Sequence, residues 1–165
     1  MTKTKYIEIT DRDLNFYLKS RNLIINRQFS AENDKINNLD HYIWWFSKKN
    51  RSSYFVQKAD KNLMILTEEV YFIDGKKIII SGLISCINKI DLKDLLNAIK
   101  WQNENVLKHK NAINLIFVSK KNIFGNLQNK YFKFSKLIKN TNLYKKINKE
   151  IKIDLNVNVY FKEIK

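Results

Sequence analysis

Between Leu63 and Ile87 the chain carries two long runs rich in β-branched and aromatic residues, Leu63–Ile73 and Lys77–Ile87, separated by Asp74-Gly75. Asp-Gly between β-prone runs predicts a two-residue hairpin turn, because both turn positions need positive φ and these residue types adopt it most readily. Gly82 inside the second run predicts a bulge or a close backbone approach. Residues 5–10 alternate as a short strand, and Tyr54-Phe55-Val56 opens another.

Helical spacing appears in four places. Thr10 is an N-cap with Asp11 and Asp13 in the first turn, followed by Leu14, Tyr17, Leu18 and Arg21. Residues 39–49 predict a helix with Tyr42, Ile43, Trp45 and Phe46 on its apolar face and Lys48-Lys49 at its C-terminal end. Residues 91–108 read as an amphipathic helix capped by Asp91, with Leu92, Leu95, Leu96, Ile99, Val106 and Leu107 on one side and Trp101 on the outer side. After a buried strand from Ala112 to Val118, a helix begins at Asn122 and carries Leu127, Tyr131, Phe134 and Leu137 on one face. From Ile151 to Phe161 odd positions are apolar and even ones mostly polar, with Tyr160 among those pointing outward, which predicts a half-buried strand. Leu143–Ile147 reads as an additional strand. The order β-α-α-β-β-β-α-β-α-β, a meander followed by a strand–helix–strand–helix–strand unit, predicts one α+β domain over residues 1–165 with a mixed sheet.

Composition narrows the class. A chain of 165 residues that is 44% apolar and 13% aromatic can bury a real core. No apolar run reaches the ~20 residues a bilayer span needs, and the first ten residues contain no apolar leader segment. A cytoplasmic protein without membrane attachment is expected. The single cysteine, Cys86, lies in an apolar stretch and reads as an inert buried thiol. One cysteine and two distant histidines predict no metal site.

The net charge of +15 permits polyanion or phosphorylated ligands, but the lysines are spread along the whole chain, as a general lysine, asparagine and isoleucine bias would leave them. Of 31 basic side chains only Arg12, Arg21, Arg27 and Arg51 are arginine. No recognition helix or aromatic RNA-binding motif accompanies the charge, so no specific nucleic-acid partner is expected.

Residues 21–55 carry a spaced pattern: Arg21-Asn22, Ser30, Ile36, His41 with Trp45-Phe46, then Tyr54-Phe55. Farther on come Ile116-Phe-Val-Ser-Lys-Lys-Asn122 and Asn129-Lys-Tyr-Phe-Lys-Phe134. Together with the element order, this pattern resembles the GNAT acyltransferases, and within them the bacterial nucleotide-amino-sugar N-acetyltransferases of surface-glycan pathways such as that of pseudaminic acid. The resemblance implies a GNAT-like mixed β-sheet, an antiparallel meander flanked by helices, and acetyl-coenzyme A or another acyl-coenzyme A as donor. It also implies that the donor lies where the fourth and fifth strands part, beside Ile84, Ser85, Ile87, Asn88, Lys89, Lys93 and Asn122. Arg21, Asn22, His41 and Trp45 would then contact a nucleotide-sugar acceptor, with Trp44 or Trp45 stacking on a ring. The sequence departs from the family where a glycine-rich turn usually holds the diphosphate. Here the stretch Cys86-Ile-Asn-Lys-Ile-Asp91 has no glycine and brings a carboxylate. A tyrosine often found in the last helix has no counterpart at Leu127-Gln-Asn129.

Direct transfer to an amine needs a base, and Glu68 and Glu69 on the third strand are the candidates. Alternation sends them to opposite faces, so only one of them can face a given cleft. A non-catalytic GNAT-like binding domain is the alternative function, and a patch around Trp101 is the candidate surface for a homodimer.

Overall fold

The computed structural model describes residues 3–30, 34–47, 50–120, 122, 127, 130–154 and 156–165. Lys48, Lys49, Lys121 and Asn129, named above, and position 155 of the run from Ile151 to Phe161 lie outside the described residues. Seven strands form one sheet: β1 (Lys5–Glu8), β2 (Arg51–Lys58), β3 (Lys61–Ile73), β4 (Lys76–Ser85), β5 (Ala112–Ser119), β6 (Ser135–Lys136) and β7 (Val157–Ile164). Their order is β1-β2-β3-β4-β5-β7-β6, antiparallel except for the parallel pair β4/β5. Among the described residues, the α-helices with complete bounds are α1 (Leu14–Arg21), α2 (Ile24–Gln28), α3 (Asn38–Ser47), α4 (Leu92–Val106) and α5 (Asn142–Ile151), and a 3-10 turn, Asp11–Asp13, precedes α1. No helix among the described residues is long and apolar enough to cross a membrane.

The expected hairpin is present. Ile73 pairs with Lys76, and Asp74 and Gly75 both have positive φ, 49° and 71°. Gly82 breaks no register with β3; it is a close approach, since a Cβ there would meet Thr67 Oγ1 at 2.5 Å.

Alternation along β3 divides the sheet into two faces. On one, Ile65 packs with Tyr17 of α1, and Ile78, Ile113 and Leu115 pack with Tyr144 and Ile147 of α5. On the other, Met64 and Leu66 pack with Ala98 of α4, and Ile79 with Val106.

Several expectations are corrected. Leu143–Ile147 is helical, within α5: Thr141 caps it by accepting from the Tyr144 amide at 3.2 Å, and Tyr144, Ile147 and Ile151 recur at helical spacing. The strand expected from Ile151 starts only at Val157, because Ile151 ends α5 and Lys152 turns the chain with φ 54°. Tyr160 is buried, packed with Ile116 and Phe134 on the far face; an antiparallel strand covered on both sides buries its even positions too. Asn122 is not helical, residues 127 and 130–132 are, and Phe134 and Leu137 follow that segment outside any helix. On α3 the inward residues are His41, Trp44 and Trp45, while Ile43 and Phe46 are exposed. Leu92 and Leu107 at the ends of α4 are also exposed. The short α2 was not expected.

Gly75→Val should destabilise the fold by about 1–3 kcal/mol, because a β-branched residue resists φ of 71°. Urea unfolding of the two proteins measures it, and an unchanged midpoint would contradict the turn.

Candidate functional site

The site begins where β4 and β5 stop pairing. They are bonded from Lys77/Ala112 to Ser81/Ile116 and then diverge. Gly82–Ser85 continue to pair with β3, and Phe117–Ser119 with β7. Asn26 of α2 takes the place of a strand partner on the freed edge of β4: its Oδ1 accepts from Ser85 N at 2.9 Å, and its Nδ2 donates to Ser85 O at 2.7 Å and to Ser20 O at 2.6 Å. Leu83, two residues earlier, aims its amide and carbonyl to the same edge, into the gap. The gap opens into a cleft of about 840 Å³ that reaches both faces of the sheet, lined by Trp44 and Arg51 on the α1–α3 side and by Ile90, Leu95 and Gln102 near α4.

Glu69 and Glu68 take opposite faces, as alternation requires. Glu69 lines the cleft. Its Oε1 accepts from Arg51 Nε at 3.0 Å and Nη2 at 2.7 Å, and its Oε2 accepts from the Tyr71 hydroxyl at 2.5 Å. Glu68 is 3% exposed and faces α4, with both oxygens 3.4 Å from Asn105 Nδ2. Burial pushes its carboxyl above the usual range, opposed by the Asn105 hydrogen bond and Lys108. Placed away from the cleft, Glu68 is not positioned as a base for anything bound there.

The Arg51 guanidinium stacks 3.5 Å from the centroid of Trp44, and Arg21 lies 5.7 Å from the same ring. Below that ring, His41 is 1% exposed, its imidazole 5.3 Å from Trp44 and 5.4 Å from Tyr17. Burial first, and Arg21 next, lower the His41 pKa, so the ring is held neutral in the core and does not line the cleft. Burial pushes the Tyr17 hydroxyl up to about 12.

Of the expected acceptor contacts, Arg21 lines the cleft, while Asn22, His41 and Trp45 do not. Asn22 instead clamps Ile36, donating to its carbonyl at 2.8 Å and accepting from its amide at 2.9 Å. Trp45 donates to Asp11 Oδ1 at 2.8 Å, and its neighbour Trp44 takes the cleft position.

Of the expected donor contacts, Ile84, Ser85 and Asn122 line the cleft, but Ile87, Asn88, Lys89 and Lys93 do not; Asn88, Lys89 and Lys93 are exposed. Asp91 caps α4 by accepting from the Lys93 amide at 2.8 Å, so a carboxylate sits at the helix start. The Cys86 thiol is pushed up to about 11 by burial, as an inert thiol should be. Trp101 is half-buried: Tyr6 stacks on it at 4.1 Å and Tyr54 meets it edge-on at 5.3 Å, so the three rings form one aromatic cluster.

Asn26, Trp44, Arg51, Tyr71 and Gln102 also shape this region, and the sequence pattern did not single out any of them except Trp44. Arg51 had one signal, its rarity among 31 basic residues. Gln102 donates to the carbonyls of Thr67 at 3.0 Å and Gly82 at 3.2 Å from within an otherwise ordinary amphipathic helix.

No family model and no curated sequence matches the chain. Solved structures do. A ribosomal-protein-alanine N-acetyltransferase from Brucella melitensis superposes with a TM-score of 0.71 at 9% identity, covering 96% of this chain and 99% of that one. An N-acetyltransferase from Staphylococcus aureus Mu50 gives 0.69 at 11% identity, with 99% of each chain covered. The Campylobacter jejuni N-acetyltransferase PseH gives 0.57 at 12% identity, covering 98% of this chain and 99% of that one. The fold is therefore GNAT-like: a seven-stranded mixed sheet with flanking helices.

Glu68 generates a pH prediction. Its folded-state pKa is raised, so its contribution to stability is greatest below the ordinary carboxyl value and is lost as pH rises through the raised one. Glu68→Gln should remove that dependence. Urea unfolding of both proteins across the acidic to neutral range should show the variant gaining relative to the parent as pH rises; a constant difference would contradict it.

Proposed function

We propose that this protein transfers an acyl group, most simply acetyl, from coenzyme A to the amine of a nucleotide-linked amino sugar. The observation that carries the reading is the parting of β4 from β5, which opens a cleft through the sheet beside a free strand edge. The amide-bearing arm of an acyl-coenzyme A fits such an edge, because the Leu83 amide and carbonyl can bond it as a further strand would. The acyl thioester then lies within the cleft, whose opposite end holds Glu69, Arg51, Arg21 and Trp44 for the acceptor.

In the transfer, the amine nitrogen attacks the thioester carbonyl carbon, the C–N bond forms, the C–S bond breaks, and coenzyme A leaves as a thiolate that takes a proton from solvent. The proton lost by the amine goes to Glu69, directly or through water, since this carboxylate is on the cleft. Its bonds to Arg51 and Tyr71 fix its orientation.

The diphosphate end of the donor fits less well. Asp91 opposes it at the start of α4, and no glycine in residues 86–91 lets the backbone approach, although Lys89 and Lys93 are nearby and exposed. This one feature favours a second reading, a GNAT-like binding domain without acyl transfer.

Calorimetry with acetyl-coenzyme A separates the two. Binding is expected in the parent protein. Asp91→Asn, which keeps a competent N-cap, should bind more tightly by about 1 kcal/mol, roughly fivefold. Absence of binding in both proteins would reject acyl transfer in favour of the second reading.

A further inference from the structure

The basic residues of this chain are distributed unevenly by type. Three of its four arginines, Arg21, Arg27 and Arg51, line the cleft, whereas Lys152 is the only lysine among the described residues that does so. A general lysine bias charges the surface but does not place arginine. A guanidinium offers a planar fork that matches a carboxylate or a phosphate on two bonds, which a lysine ammonium cannot do.

The environment of two of these arginines is built for such a contact. The guanidinium carbon of Arg51 lies over Trp44, 3.5 Å from the ring centroid, with the side chain 3% exposed. Glu69 occupies its Nε and Nη2, and Nη1 has no hydrogen-bond partner among the described residues. A buried guanidinium nitrogen without an acceptor is uncommon, and it marks where an acceptor is expected. Arg21 stands 5.7 Å from the same ring with no hydrogen bond or ion pair to any described residue, and it lines the cleft. Both positive charges act at one place, since both oppose the burial-driven rise at Tyr17 and add to the lowering at His41 beneath the ring. Glu69 offsets one of them, and Asp34 and Asp154 are the other carboxylates on the lining. Arg21 therefore supplies the excess charge at this end, and Arg51 an already oriented second donor.

We infer that the α1–α3 end of the cleft is an oxyanion subsite, in which Arg21 and Arg51 beside Trp44 hold a carboxylate or phosphate of the acceptor. This inference rests on the reading above only in assigning the bound group to the acceptor. It requires an anionic group on the acceptor: a phosphate is what the nucleotide-linked sugar proposed above would supply, whereas a carboxylate would replace that sugar by an amino acid or an acidic sugar.

The test uses the scarcity of arginine. Labelling the full chain with ¹⁵N-arginine gives guanidinium signals from four residues, assigned by replacing each with lysine in turn. The labelled protein is titrated with inorganic phosphate and, separately, with acetate, at constant ionic strength set by chloride. Saturating shifts of Arg21 and Arg51, with Arg12 unmoved, are expected for at least one of the two anions. Response to phosphate alone identifies the first source, and response to acetate alone or to both anions admits a carboxylate. The response should persist with acetyl-coenzyme A present at saturation, and Arg21→Gln should abolish it at Arg51. Flat titrations for both anions, equal shifts at Arg12, or loss of the response once acetyl-coenzyme A is bound would overturn the subsite. Donor binding is read separately by calorimetry, so failure of acyl transfer and failure of the subsite give different results.

Discussion

The parting of β4 and β5 is the constraint on which the rest of this structure depends. It costs the sheet little, because each strand keeps a complete ladder on its other side, β4 with β3 and β5 with β7. The bonds given up are those of a short parallel stretch, and Asn26 replaces part of them from α2. α2 is five residues long and buries none of them, yet the Asn26 side-chain amide holds the edge of β4. A strand edge left open in this way normally invites a partner chain. Here it lies inside a cleft instead of at the rim of the sheet.

The second organising interaction is the stack of Arg51 on Trp44 with Glu69 beneath it. A buried ion pair is a poor source of stability in itself, because desolvation offsets most of its attraction. Its value is positional. The pair and the Tyr71 hydroxyl fix the cleft carboxylate in one orientation, and the Trp44 ring faces the guanidinium at 3.5 Å. His41 and Tyr17 support that ring from the core, where burial disfavours the charged form of each. The residues of the α1–α3 region thus divide into those that touch the cleft and those that hold them there. Asn22, Trp45 and His41 belong to the second group.

How much of this was legible in the sequence depended on the range of the forces involved. Asp74-Gly75 announced the hairpin because positive φ is a local demand, and Asp91 announced the cap of α4 because it bonds an amide two residues away. Alternation separated Glu68 from Glu69 without saying which faced a cleft. Where two local patterns coincided, the sequence misled: odd-numbered apolar positions from Ile151 to Phe161 cross the end of a helix, a left-handed turn at Lys152 and only then a strand. The final turn of α5 buries Ile147 and half-buries Ile151, which alternation alone cannot distinguish from a strand.

The sequence by itself determined an α+β chain with a central meander, a hairpin at Asp74-Gly75, an N-capped α4 and a carboxylate in place of a glycine-rich turn, since each follows from backbone preferences or contacts within a few residues. Only the tertiary structure decided that Trp44 and not Trp45 meets the cleft, that His41 is core, that Glu69 is the cleft carboxylate, and that Arg21 and Arg51 converge on one ring. Neighbours on a helix differ by about 100°, so identity and spacing narrow the choice without making it. What makes it is the packing of α1 and α3 on the same face of the sheet, which brings residues some 30 positions apart to one ring and leaves their sequence separation uninformative.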